Sequence, residues 1–125
     1  MQRLKTRPQF QAVLAGRLVA KTGHFALHRL EIDPASPAPF PVHGTWIGAM
    51  VPKRWAKRAV TRNAIKRQIY TVSASLTDHF PQAAFLVRLR RGFSREVFVS
   101  AVSADLKDAA RSELQALMQA GLAPN

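Results

Sequence analysis

Between Thr45 and Phe80 the apolar residues change period, and that change most restricts what this chain can fold into. Up to Val51 they alternate, with Ile47, Ala49 and Val51 on one side and Trp46, Gly48 and Met50 on the other, the pattern of a half-covered strand. Pro52 ends it. From about Arg58 the apolar positions are Ile65, Ile69, Val72, Leu76 and Phe80, at steps of four, three, four and four, which predicts a helix with a buried stripe. Strand and helix therefore follow each other across one short junction.

That junction is where the charge lies. Lys53, Arg54, Lys57, Arg58, Arg62, Lys66 and Arg67 fall within fifteen residues, and no acid occurs between Asp33 and Asp78. At roughly 100° per residue, with Ile65 as zero, the stripe spans about −20° to +60°, while Arg62 falls near 60°, Lys66 near 100°, Asn63 near 160° and Arg67 near 200°. The polar quartet fans from the edge of the core face to solvent. Arg58 would enter the core azimuth if the helix began earlier, which places residues 53–57 in the loop before it.

The whole chain carries 19 Lys+Arg against 7 Asp+Glu, a formal +12. The excess is local: residues 1–95 hold 17 cations and 3 acids, residues 96–125 hold 2 cations and 4 acids, so the two parts carry +14 and −2. A solvated helix face intersperses both signs to gain i,i+4 pairing, and this one offers no such pairing. A basic helix lying on lipid is disfavoured because the apolar stripe has the character of a core face. A polyanion fits better, and nucleic acid is the leading partner. Smaller cationic clusters lie at Arg88, Arg90, Arg91 and Arg95 and at Arg3, Lys5 and Arg7.

The other elements are read by the same rules. Phe10, Val13 and Leu14 after Pro8 predict a short helix ending near Gly16. Residues 24–32 and 84–89 read as strands, and residues 34–44, with four prolines, as a loop. A last helix is expected at about 103–119, with Gly121 as its stop. Phe93 to Val102 fits either a strand or an extension of that helix. The length of 125 residues suits a single domain over 1–125.

Catalysis by the protein finds no support. The acids are scattered, His24, His28, His43 and His79 lack metal-ligand spacing, there is no cysteine and no glycine-rich phosphate loop. No run approaches a membrane span and the N-terminal residues lack an apolar signal core, so a cytoplasmic protein without a membrane partner is expected.

Strand, Lys53-Arg54, a basic loop, then Arg62-Asn63-Ala64-Ile65-Lys66-Arg67 leading an apolar helix resembles the bacterial ribonuclease P protein subunit. Leu4-Lys5, Phe10-Gln11, Val13, Gly16, Phe25, Leu27, Ile47-Gly48 and Phe85-Leu86-Val87 extend the likeness over most of the chain. Ala64 departs from it, standing where the family carries a second arginine. The resemblance implies an α/β (α+β) two-layer sandwich, with a central mixed sheet, about three helices, a left-handed βαβ crossover and a ribosomal-protein-like fold. It implies a partner RNA subunit that performs Mg²⁺-dependent cleavage, the metal being bound mainly by RNA, and a second ligand, the 5′ leader of precursor tRNA. Carried over by position, Lys53, Arg54, Arg58, Arg62, Asn63, Lys66 and Arg67 belong to the RNA-subunit contact, which Lys57 joins by its place in the cationic loop.

By the same resemblance Phe10, Leu14 and His28 line a leader cleft. Leu14 and His28 stand where aromatic residues are common, so leader contacts are expected to be weaker or to pass to Trp46. For Phe10 and His28 an interior role competes with the cleft role, and Trp55 either anchors the basic loop or stacks on a base. Two other functions share the charge pattern: a ribosomal or ribosome-assembly RNA-binding protein, and a DNA-binding regulator. The second is disfavoured because no helix-turn-helix pairing precedes residue 58.

Overall fold

The computed structural model describes residues 1–93 and 104–122. In chain order they form β1 (Gln2–Arg3), α1 (Arg7–Leu14), β2 (Arg17–Lys21), β3 (Phe25–Leu30), β4 (Trp46–Met50), α2 (Ala59–Ser75), a 3₁₀ turn (Thr77–His79), β5 (Ala84–Leu89) and α3 (Ala104–Leu122). The strands make one five-stranded mixed sheet in the order β1-β4-β5-β3-β2. β1 and β5 run parallel to β4, while β3 pairs antiparallel with β5 and with β2. α2 is thus the crossover between two adjacent parallel strands. The segment 93–102 whose character the sequence left open lies, from residue 94 on, outside the described residues, as does Arg95.

Strand alternation divides the core into two clusters on opposite faces of the sheet. On one, Phe25, Leu27, Ile47, Ala49, Phe85, Val87 and Leu89 meet Ile65, Ile69 and Val72 of α2 and Ala110, Leu114, Leu117 and Met118 of α3. On the other, Trp46, Ala84 and Leu86 meet Leu4, Val13 of α1 and Phe40 of the proline-rich loop. The sheet therefore has the two long helices on one side and the short helix on the other.

α1 is fastened at its start by a buried glutamine. Thr6 is the N-cap, its hydroxyl accepting from the Gln9 amide at 3.3 Å, while Gln9 Oε1 accepts from the amides of Lys5 and Thr6. Gln9 Nε2 donates to the Pro39 carbonyl at 3.0 Å, which ties the proline-rich loop to the helix. After α1 the chain turns at Gly16, where a Cβ would lie 2.5 Å from the Arg29 carbonyl oxygen; only glycine lets the two backbones approach so closely.

Two expectations are corrected. α2 ends at Ser75, with Leu76 as its C-cap, and Phe80 returns to the core through the 3₁₀ turn, not through helix. The hydroxyls of Ser73, Ser75 and Thr77 each donate to a carbonyl three or four residues back, satisfying the last turn internally. Gly121 is inside α3, not after it. A Cβ there would meet Leu27 Cδ2 at 2.5 Å, so its role is close packing on the sheet.

Candidate nucleic-acid interface

The β4–α2 junction is rooted by Val51 and Ala56, both buried, and turned by the Trp55 and Ala56 amides, which donate to the Pro52 carbonyl at 3.1 and 3.2 Å. Ala56, not Trp55, is the side chain that anchors this loop. Trp55 stays 37% exposed, with the Arg54 guanidinium 5.3 Å above its ring. Arg58 is the N-cap of α2, in extended conformation (φ −85°, ψ 134°), with no side-chain cap and no acid in the first turn. Cations thus crowd the positive end of the helix dipole. That arrangement costs stability in isolation and favours an anion there.

The structure leaves the expected residues accessible, and Asn63, Lys66 and Arg67 share one open groove. Lys53, Arg54, Lys57, Arg58, Asn63 and Arg67 are exposed and Lys66 is half-buried. The two ion pairs among the described residues, His24–Glu113 and Arg29–Glu31, involve none of them. Arg62 has a second duty: its Nη1 donates to the carbonyls of Ala56 and Lys57, holding the loop against the helix. Ala64 is buried at 9%, so a position given to arginine in the family motif serves packing here. In the smaller cluster, Arg90 Nη1 donates to the carbonyls of Thr22 and Gly23, bracing the β2–β3 turn.

On the opposite face of the sheet, α1 buries Gln9 and Val13, one residue out of phase with the predicted stripe. Phe10 is half-buried and packs against the cluster of Val13 and Leu86, while Leu14, one turn on, is 38% exposed. His28 lies in the sheet floor, level with Leu86 on β5 and Leu18 on β2, and Leu18 is 48% exposed. Arg88 Nε donates to His28 Nε2 at 3.3 Å, which places the imidazole proton on Nδ1, buried and without a partner among the described residues. Burial, reinforced by the charge of Arg88, holds the His28 pKa below its ordinary 6.5.

Trp46 is not part of this surface. It is 4% exposed, packed at 5.7 Å against Phe40, and its indole N–H donates to the Val42 carbonyl at 2.9 Å. The proline-rich loop folds over it. Leader contacts therefore cannot pass to Trp46 without unfolding that loop. Among the described residues no three His, Asp or Glu side chains gather in a way that could hold a metal ion.

With this geometry in hand, a family model described as Ribonuclease P matches residues 1–116. The chain belongs to the ribonuclease P protein family. It is 32% identical over 130 residues to the ribonuclease P protein component of Trichormus variabilis, covering 94% of this chain and 86% of that one. It is 32% identical over 114 residues to that of Bordetella petrii, covering 91% and 86%. Among solved structures, the fold is similar to the RNase P protein of Staphylococcus aureus at 2.0 Å (TM-score 0.69, 18% identity, 95% of this chain and 94% of that one). It is also similar to the RNase P protein of Thermotoga maritima (TM-score 0.60, 16% identity, 93% and 97%). Membership in the ribonuclease P protein family implies an RNA partner, which suits a cationic face that no acid among the described residues neutralises. No helix among the described residues is long and apolar enough to cross a membrane.

Proposed function

We propose that this protein binds the RNA subunit of ribonuclease P through the β4–α2 junction and helps it remove the 5′ leader of precursor tRNA in the cytoplasm. The observation that carries the reading is the exposed set Lys53, Arg54, Lys57, Arg58, Asn63 and Arg67, without an acidic partner among the described residues, around an uncapped helix start. Cations at such a start neutralise phosphates, and asparagine adds hydrogen bonds to ribose or base edges. In this reading the RNA subunit does the bond-breaking and holds the Mg²⁺, for which the described protein residues offer no ligand cluster. Of Phe10, Leu14 and His28, the reading gives the leader Leu14 and the open side of Phe10, with His28, 8% exposed, in the sheet floor. Leu14 supports this, being apolar and 38% exposed, with the part of the Phe10 ring that is not packed against the Val13 cluster beside it.

Reconstitution tests it. Added protein should lower the Mg²⁺ concentration at which the RNA subunit cleaves precursor tRNA. A protein that leaves cleavage unchanged while binding ribosomal RNA tightly would instead be a ribosomal or ribosome-assembly factor.

A further inference from the structure

We propose that Arg3, on the edge strand β1, is a further RNA contact and that Tyr70 is its positioning residue, so that β1 and the outer flank of α2 grip one stretch of RNA backbone between them. The proposal rests on the reading of α2 as the RNA-subunit contact and extends it to a part of the chain distant in sequence.

The guanidinium carbon of Arg3 lies 3.9 Å from the centre of the Tyr70 ring. The phenol oxygen in turn accepts a hydrogen bond from the Ala49 amide at 3.3 Å. That amide is in the part of β4 that β1 is too short to reach, since β1 pairs only with Trp46 and Ile47. Tyr70 is therefore held by α2 at one end and by β4 at the other. β1 itself is pinned by the Gln2 amide donating to Thr45 and the Leu4 amide donating to Ile47. A guanidinium held 3.9 Å over a fixed ring has surrendered much of its rotamer freedom before binding, while N–H donors not engaged by the ring can fork onto phosphate oxygens.

What it faces is an open groove of ≈ 530 Å³, lined by Arg3, Asn63, Lys66, Arg67, Tyr70 and Thr71 among others, with three cations and no acid in the lining. Neither ion pair among the described residues involves Arg3, Lys66 or Arg67. Phosphate backbone is the ligand this lining suits: point charge from Lys66, forks from Arg3 and Arg67, and an amide in Asn63 for a sugar or base edge. A mere staple fastening β1 to α2 would leave the binding of RNA indifferent to the charge at Arg3.

The test measures binding of the full chain to the RNA subunit across a monovalent salt series. R3Q should weaken binding several-fold and shrink the slope of log K against log salt by about 0.7–0.9, the loss of one phosphate contact. Y70L should also weaken binding, yet add nothing in the R3Q background, because it acts through Arg3. Y70F, which keeps the ring but loses the hydrogen bond from the Ala49 amide, should weaken binding less than Y70L does, and K107Q on α3 should leave affinity and slope unchanged. Unaltered affinity and slope in R3Q, with a lowered melting temperature, would make the contact a staple and overturn the proposal. If that happened while K66A and R67A still weakened binding, only this inference would fall; if all three bound as the parent, the RNA-subunit reading of α2 would fall with it.

Discussion

Nη1 of Arg62 donates to the carbonyl oxygen of Lys57 across 2.8 Å, so a cation of the helix closes the loop that leads into it. The same nitrogen reaches the Ala56 carbonyl at 3.0 Å. Arg62 therefore serves two ends at once, shaping the basic loop and adding its charge to the surface. Arg62→Ala should lower stability by about 1 kcal/mol, through two lost charge-assisted hydrogen bonds at a half-buried site, and should weaken RNA binding. Arg62→Lys should separate the effects. It keeps the charge, and so most of the salt dependence, but not the planar fork that spans two carbonyls. Urea midpoints beside binding isotherms would show whether stability and affinity part company.

For Lys66 and Arg67 no such second duty exists among the described residues, which makes them the cleaner probes of the electrostatic face. Lys66→Ala and Arg67→Ala should each leave the urea midpoint within about 0.5 kcal/mol of the parent. Each should reduce the slope of log K against log salt by about 0.7–0.9. A solvated face with no ligand would show neither change in binding.

How far the sequence carries the fold depends on how strongly each segment is buried. Ala84–Leu89, the strand between two partners, was legible to the residue, because this central strand, packed on both faces, is apolar at every position but Arg88. The start of α2 was legible from the azimuth of Arg58. β1 and β2 were not, for different reasons. β1 is two residues long and exists by its pairing with β4. β2 is an edge strand, Arg17–Lys21, exposed or half-buried throughout, with an irregularity between Leu18 and Ala20 that breaks the period of two. At the site, the cations were legible because charge needs no fold to be counted. The burial of Trp46 was not, since composition marks a proline-rich loop without saying what it covers. Tyr70 was likewise invisible, as its value lies in touching Arg3 across the sheet edge.

The cluster formed by Thr22, His24 and Glu113 predicts an acid-sensitive part of the stability. Glu113 Oε2 accepts from the Thr22 hydroxyl at 2.5 Å and the His24 amide at 2.7 Å, and its Oε1 lies 2.7 Å from His24 Nδ1. Burial pushes the Glu113 carboxyl up, but the hydrogen bonds from Thr22 and His24, with the charge of His24, outweigh it and leave the pKa below its ordinary 4.5. A carboxylate with a depressed folded-state pKa contributes its stability fully above the unfolded value and loses it as the pH falls through the folded one. Urea midpoints should thus decline as the pH is lowered from about 4.5. Glu113→Gln should cost about 1–2 kcal/mol at pH 7, where the β2–β3 turn loses its tie to α3, and should flatten that acid limb.

The register of α1 buries Gln9 and Val13, leaves Leu14 exposed and lets Phe10 keep only part of its ring against the core. If the flank that Phe10 and Leu14 form meets the leader, Phe10→Ala should reduce binding and cleavage of precursors with long leaders more than it reduces binding of mature tRNA. Leu14→Phe should act in the opposite direction. Leu14 is 38% exposed, so a ring there enlarges the surface without overpacking the core, and stacking on an aromatic ring is worth about 1–3 kcal/mol per base where it is used. Affinity for a precursor with a long leader should rise by up to tenfold, with mature tRNA unaffected. Equal effects of Phe10→Ala on both RNAs, together with a lowered melting temperature, would return Phe10 to the core.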